Sequence, residues 1–218
     1  MNIKEIIIRV NSTDAKAYSD VFDKKTYMKH SLLKSGDIWL DLGAHIGCFT
    51  IQAKNLGVIV HSYEAEQNNK DQFFKNLGYY PNDGISIDGG TLDLYKCKDI
   101  NNTWRHSLLK VRGREIVSIN TLKLDDEIYN KKPDGIKIDI EGYELNIIDY
   151  LTLDKLKMFN VKYLIIEYSF DKDKKISNFI ERINKLKQYY KNVIYDSKVN
   201  INLDEYNFFP QQCMIYCY

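Results

Sequence analysis

The sequence has no Cys-x-x-Cys pair, and its four cysteines, Cys48, Cys97, Cys213 and Cys217, show no zinc-ligand spacing. They read as reduced thiols with packing roles, which sets the expected compartment as cytoplasmic. No apolar run approaches the ~18 residues needed to span a bilayer. The opening "MNIKEIIIRVNS" has only a short apolar run and lacks the core of a secretion signal. No membrane span is therefore expected. Excess charge of one sign is missing too. Lys and Arg number 31 and Asp and Glu 30, a formal charge of +1, so a nucleic-acid partner, which favours a basic excess or stripe, is not expected. Proline occurs three times and glycine 11 times, gathered into no linker. Internal repeats and low-complexity tracts are absent. The 218 residues then fit one domain, 1–218, with residues 1–36 as a strand-and-helix extension and 37–218 as the core.

What the chain does have is alternation. Residues 3–10 suggest a short strand, and residues 14–35 one or two helices. Strand-like "DIWLDL" precedes a helix from about Ile46 to Leu56, and "VIVHSYE" precedes one from about Gln67 to Leu77. "GISID", "LDLYK" and "REIVSI" are further strand candidates. "DGIKIDI" leads into a helix from Tyr143, and "VKYLIIEYS" into a charged amphipathic helix near 174–190. Strands that are apolar throughout, separated by helices, indicate a parallel sheet covered on both faces. No helix separates the last two strands, "NVIYDS" and "YNFFPQQCMIYCY". They are expected to pair as an antiparallel hairpin at one edge of this doubly wound α/β sheet.

The turn after "DIWLDL" carries the sharpest signal. It reads D-x-G-x-x-x-G, with Asp41, Gly43 and Gly47. In doubly wound sheets ligands bind beyond the carboxyl ends of the strands. Gly43 permits a tight turn, and Gly47 lets the helix approach the sheet or a ligand. Glu64 ends the next strand, where an acid accepts from ribose hydroxyls. A dinucleotide turn wants G-x-G-x-x-G beneath a pyrophosphate, and a carboxylate such as Asp41 would repel that group. Beside an ammonium it attracts, by ~1 to 4 kcal/mol at contact distance. Ribose at one end and an ammonium at the other describe S-adenosylmethionine. His45 is placed to contact the cofactor carboxylate, Asp88 in "SIDGG" to accept from the adenine amino group, and Tyr63 to flank the ring. A structural junction, a helix-start polar residue, an ordinary turn and a core tyrosine are the plainer alternatives.

A second cluster is acidic. In "KIDIEGYE", Lys137, Asp139 and Glu141 alternate along a strand and point to one face; Glu167 ends the next apolar strand. If those strands are neighbours, Asp139, Glu141 and Glu167 converge and need a cation, a proton or donors. Three roles stay open at this point. The acids can shape a pocket for sugar-like hydroxyls and raise one pKa into the range of a general base. They can ligate Mg2+ through oxygen, with Asp139, Glu141 and Glu167 as the candidate ligands. They can be helix caps and surface acids, Glu144 first among them.

Together these stretches resemble the FkbM family of S-adenosylmethionine-dependent methyltransferases. "DLGAHIGCFTIQA" is similar to its cofactor turn and "VHSYEAEQNN" to its acidic end of strand two. "SINTLKLDDE", "DGIKIDIEGYELNII" and "YLIIEYS" are similar to its later motifs. The resemblance spans Asp37 to Ser169. It implies a class I, Rossmann-like methyltransferase fold and O-methylation of a hydroxyl, often on sugars or secondary metabolites. It implies cofactor contacts from Asp41, Gly43 and Glu64, and places Asp139 and Glu141 near the reacting centre, with Asp139 also among the expected cofactor contacts. The chain departs from the family pattern at His45, where asparagine is common, at Ala65, where proline is, and in "SIDGG".

Methyl transfer needs the acceptor oxygen held ~3 Å from the methyl and its proton removed or shared. The candidate bases are Asp139, Glu141, His106 and His45. His106 lies in "NNTWRHSLL", where Trp104 and Arg105 suit a polar acceptor. The lead expectation is an O-methyltransferase acting on a small-molecule, sugar or glycan hydroxyl. The alternatives are an RNA ribose or cap 2'-O-methyltransferase and a noncatalytic S-adenosylmethionine-binding module. Lys137, Asp139 and Glu167 resemble part of the lysine–aspartate–lysine–glutamate set of ribose methyltransferases, without an evident second lysine. "INKLKQYYKN" reads as a solvated helix face.

Overall fold

Strand β1 (Ile38–Leu42) and strand β6 (Gly135–Ile138) run side by side through the middle of the molecule, buried along nearly their whole length. The computed structural model describes residues 6–97, 99, 101–103, 106–110, 112–170, 175–196 and 212–218. Around that pair, β2 (Ile59–Tyr63) lies parallel to β1, and β7 (Tyr163–Ser169) parallel to β6. Beyond β7 come β9 (Gln212–Cys217) and β8 (Val193–Tyr195), both antiparallel, so the order is β2-β1-β6-β7-β9-β8. The expected antiparallel edge pair is present. The "YNFFP" part of its last expected strand lies outside the described residues, as do Trp104 and Arg105. A three-stranded sheet stands apart: β3 (Gly84–Ser86) parallel to β5 (Glu115–Lys123), and β4 (Gly90–Lys96) antiparallel to it. The sequence reading had not separated these strands from the main sheet.

Helices α2 (Cys48–Asn55) and α3 (Gln67–Leu77) follow β1 and β2 close to the expected positions. Helix α3 starts where Glu66 accepts from the Asn69 amide at 2.9 Å, a side-chain N-cap. The sequence reading missed α4 (Leu124–Lys131), which continues β5 directly, and α6 (Leu153–Phe159). Helix α5 (Glu144–Tyr150) opens after the "IEGY" turn. Helix α7 (Ile176–Lys187) buries Phe179, Ile183 and Leu186, one stripe at helical spacing.

The sheet has a core on each face. One gathers Leu40, Leu42, Ile136, Ile138, Ile166 and the stripe of α7. The other joins Trp39, Phe49, Ile165 and Tyr216 to Val21, Tyr27, Leu32 and Leu33 of the N-terminal segment. Of the strand expected at 3–10, residues 3–5 lie outside the described residues, and residues 6–9 have no regular structure. The Ile7 backbone is instead gripped by Asn76 Oδ1 at 2.9 Å and Gln72 Nε2 at 2.6 Å. Residues 14–31 form a short α-helix α1 (Asp14–Tyr18), a π-helical turn (Ser19–Asp23) and a 3-10 stretch (Thr26–Ser31). No helix of the described residues is long and apolar enough to cross a membrane.

Candidate active site

The strand order reverses between β1 and β6, and a cavity of about 420 Å3 opens beyond the carboxyl ends of β1, β2, β6 and β7. This is where an open α/β sheet binds its ligand. Seven acids and three lysines line it among the described residues, an acidic basin suited to a cation.

At one end, β2 delivers Glu64. Its Oε2 accepts from the His45 amide at 2.8 Å; its Oε1 accepts from the Glu66 amide at 2.9 Å and from Asn69 Nδ2 at 3.4 Å. Burial raises its pKa against those three donors. Each carboxylate oxygen has more than one acceptor site, so capacity remains for a diol. Beside it Tyr63, Ile85 and Leu94 form an apolar wall; the Tyr63 hydroxyl is turned to Glu127 at 2.6 Å. Asp88, expected at the adenine end, is exposed in the turn before β4 and does not line the cavity. Its turn points it to water, and the wall there is hydrocarbon.

The glycine turn is as tight as its sequence implies, for reasons that differ at its two glycines. Gly43 has φ +81°, and a Cβ there would lie 1.9 Å from the Asp139 carbonyl oxygen: the two strand ends touch backbone to backbone. Gly47 has φ +90°, and its Cβ would meet Leu77 and Phe73 of α3. It serves helix packing and does not line the cavity.

Asp41 departs most from expectation. It is fully buried and does not line the cavity. Its Oδ2 accepts from the Thr50 hydroxyl at 2.6 Å. Its Oδ1 lies 3.1 Å from Lys137 Nζ, a Coulombic contact without hydrogen-bond alignment. The ammonium expected opposite Asp41 is thus supplied by the protein. Lys137 also donates to the Gly43 carbonyl at 2.7 Å and stands 3.4 Å from Asp139 Oδ2. Burial works against its charge, but Asp41 and Asp139 outweigh burial and raise its pKa.

Asp139 and Glu167 come from neighbouring strands and do converge. Asp139 Oδ2 accepts from the Tyr27 hydroxyl at 2.9 Å, and the Glu167 carboxyl lies within hydrogen-bonding reach of Asp139, an arrangement that favours one proton shared by the two. Burial pushes Asp139 up, yet Lys137, Glu167 and Tyr27 hold it below the usual range. Glu167 is raised well above its ordinary value, by burial first and the Asp139 charge second. The proton therefore resides on Glu167. Glu141 lines the cavity in a left-handed turn, φ +36°. The Mg2+ set is not realised: no group of three His, Cys, Asp or Glu among the described residues is arranged to hold a metal. The balancing cation at these acids is Lys137.

Glu144 is an internal cap. It accepts from the Gly142 amide and from Ser169 N at 3.1 Å, and burial raises it to about 7. His106 lines the cavity with Nδ1 accepting from the Cys97 amide at 3.2 Å. Burial lowers its pKa to about 4, which makes it a weak base. His45 also lines the cavity and is lowered to about 4 by burial. The Cys48 thiol is pushed up to about 12 by burial, in keeping with a packing role. Tyr27, Asp20 and Lys24 line the opposite wall from the N-terminal segment. Sequence reasoning missed them because no motif or periodicity marks them.

Fold and cavity define a class I methyltransferase, a Rossmann-like sheet with its site at the switch point. The chain matches the methyltransferase FkbM domain over residues 41–193 and belongs to that family; it is an S-adenosylmethionine-dependent methyltransferase. Among solved structures it is similar to the fibrillarin/Nop5p complex, at 13% identity over 99% of this chain and 88% of that one, TM-score 0.52. It is also similar to an S-adenosylmethionine-dependent methyltransferase from Archaeoglobus fulgidus (14% identity, 93% and 98% covered, TM-score 0.45). A third likeness is to Aeropyrum pernix fibrillarin with natively bound S-adenosyl-L-methionine (12%, 85% and 68%, TM-score 0.42). These likenesses show the fold alone. A search of curated proteins finds no significant match.

Proposed function

We propose that the chain transfers the methyl group to a hydroxyl oxygen of a sugar or glycan. The observation that carries this reading is the proton-sharing pair Asp139 and Glu167, braced by Lys137 and Tyr27 in the cavity that Glu64 borders. The cavity suits the cofactor: its lining is acidic, Glu64 retains acceptor capacity for the ribose diol, and the wall beside it is apolar. S-adenosylmethionine, when bound, supplies an electrophilic methyl on a sulfonium. Glu64 and the Gly43–His45 turn hold its nucleoside and amino-acid portions.

An aliphatic hydroxyl is a poor nucleophile and must give up its proton as the bond forms. A buried carboxyl pair that already shares one proton is suited to accept from the hydroxyl and orient it. A cation arriving beside the pair favours its ionised form, which makes it a better acceptor. Glu141 offers a further acceptor to a polyhydroxylated substrate. Residues 1–36, as the extension, and 37–218, as the catalytic core, act in this reading as one domain.

Calorimetry tests the cofactor half. S-adenosylmethionine and S-adenosylhomocysteine should bind and NAD should not, and Glu64→Ala should weaken both by at least several-fold. Methyl transfer to a panel of sugars and glycans, with and without EDTA, tests the acceptor half. Activity should appear on a hydroxylated acceptor and survive EDTA, because Lys137 already supplies the fixed positive charge. Cofactor binding without turnover across the panel would favour a noncatalytic role.

A further inference from the structure

A hydrogen-bond network that starts outside the family match, at Arg9 and Asp14, reaches the cofactor turn. Asp14, the first residue of α1, is fully buried. Arg9 donates to it three times: from its amide at 3.0 Å, Nε at 2.8 Å and a terminal guanidinium nitrogen at 2.8 Å. The Thr103 hydroxyl donates to Asp14 Oδ1 at 2.9 Å and lies 3.0 Å from His45 Nε2. The His45 ring nitrogen is itself 3.5 Å from Asp14 Oδ1. Asn69 ties the same network to Glu64, reaching Thr103 O at 3.0 Å, Glu64 Oε1 at 3.4 Å and Arg9 at 2.8 Å.

Proton counting fixes the imidazole. A threonine hydroxyl has one proton, and ionised Asp14 can only accept. Thr103 gives its proton to Asp14, the Thr13 hydroxyl 2.9 Å away can donate to Thr103 in turn, and Nε2 of His45 is then the donor in its contact with Thr103. His45 is neutral at ordinary pH, hence its Nδ1 bears no proton, and no partner for Nδ1 is found among the described residues. The ring lines the cavity from a backbone held left-handed, φ +51°, an uncommon state for a residue other than glycine. A neutral ring whose N–H is already committed cannot donate to a carboxylate. It can accept from an ammonium. Asp41, the expected ammonium partner, is already neutralised by Lys137.

We propose that Asp14, acting through Thr103, fixes His45 as the Nε2–H tautomer, so that its bare Nδ1 accepts a hydrogen bond from the amino group of the cofactor's methionine portion. Asp14 and Thr103 are positioning residues, and His45 is the residue that touches the ligand. The proposal rests on the reading that the cavity takes S-adenosylmethionine with its ribose at Glu64. It makes the N-terminal segment part of the cofactor site.

Nitrogen NMR of full-length protein labelled at histidine gives a direct readout, with His45 assigned by difference against His45→Asn. The expected spectrum has a protonated Nε2 and a bare Nδ1, and S-adenosylhomocysteine shifts Nδ1 toward the hydrogen-bonded range. Thr103→Val, which deletes the hydroxyl and keeps the shape, should release the tautomer to a mixture. A protonated Nδ1, an unmoved Nδ1 on ligand addition, or an unchanged tautomer in both Thr103→Val and Asp14→Asn would each overturn the proposal.

Calorimetry adds a ligand-side cycle. His45→Ala should weaken S-adenosylhomocysteine about tenfold, the size of one hydrogen bond to a charged group, while His45→Asn, which keeps an acceptor, retains most of the affinity. The desamino analogue of S-adenosylhomocysteine should bind wild type and His45→Ala equally. An equal loss with both ligands refutes the contact even if Glu64→Ala behaves as expected. Unaltered binding in Glu64→Ala instead refutes the ribose reading.

Discussion

Glu144 is a buried carboxyl whose raised pKa has one dominant cause, its removal from water. It is fully buried and held neutral up to about 7 against an ordinary 4.5, mainly by desolvation. A carboxyl raised in this way binds its proton more tightly folded than unfolded. Its contribution to stability is present at low pH and is lost as pH rises through the window from 4.5 to about 7. The loss is on the order of 3 kcal/mol. Glu144→Gln removes that dependence while forfeiting an acceptor for Gly142 or Ser169. Urea denaturation of wild type and variant between pH 5 and 8 should therefore show the variant's deficit shrinking as pH rises. A deficit that is constant or grows would mean that Glu144 is ionised in the fold. At this scale the sequence disclosed what a strand end discloses. Glu64, Asp139 and Glu167 could be placed because each closes an apolar run. Tyr27, Asp14 and Thr103 could not, because the contacts that tie them to the site, Tyr27–Asp139 and Asp14–Thr103, span about 90 to 112 residues. Asp41 was placed on the right strand and given the wrong neighbour, because nothing in the spacing shows that Lys137 fills the space first.

The turn between β1 and α2 is held by two glycines that fail differently when changed. At Gly43 the obstacle is the Asp139 carbonyl, 1.9 Å from where a Cβ would stand, and neither strand end can yield without breaking β1–β6 pairing. At Gly47 the obstacles are the side chains of Leu77 and Phe73, which can shift. Gly47→Ala should cost about 1–3 kcal/mol for overpacking plus about 1–2 kcal/mol for a side chain on a left-handed backbone, and leave a folded protein that binds S-adenosylhomocysteine. Gly43→Ala should cost more and abolish that binding. Melting temperatures and calorimetry on the two variants decide it, and an equal, mild effect at both would contradict the close approach. Legibility at this scale followed length and punctuation. Helices α2 and α3, each closed by a glycine, were found within two residues. Helix α4 was missed because β5 runs into it with no turn residue between, and no side chain caps its start. The separate small sheet was missed because β3 is three residues long, too short to show a period.

Over the whole molecule, a doubly wound sheet needs both faces covered, and here the chain before β1 supplies much of one cover. Val21, Tyr27, Leu32 and Leu33 pack with Trp39, Phe49, Ile165 and Tyr216. The same segment walls the cavity and delivers the Tyr27 hydroxyl to Asp139. Residues 41–193, which match the family, thus include neither that wall nor β9, which separates β7 from β8. Removing residues 1–27 leaves the whole family match in place and deletes two buried apolar side chains, Val21 and Tyr27, along with the buried Asp14. At ~1.5–3 kcal/mol each, the loss of the two apolar ones amounts to roughly 3–6 kcal/mol before Phe49 and Lys137 are counted as newly wetted. Domains of this kind have only about 5–15 kcal/mol in total. The truncated chain should lose its cooperative thermal transition or melt far below the intact protein, and should bind S-adenosylhomocysteine weakly or not at all. Tyr27→Phe separates the two contributions, because it keeps the ring against Phe49 at 5.5 Å and removes only the hydroxyl. That variant should melt near wild type and still bind S-adenosylhomocysteine, with methyl transfer reduced. A truncated chain that melts and binds like the intact one would show that the first face is closed without its N-terminal cover.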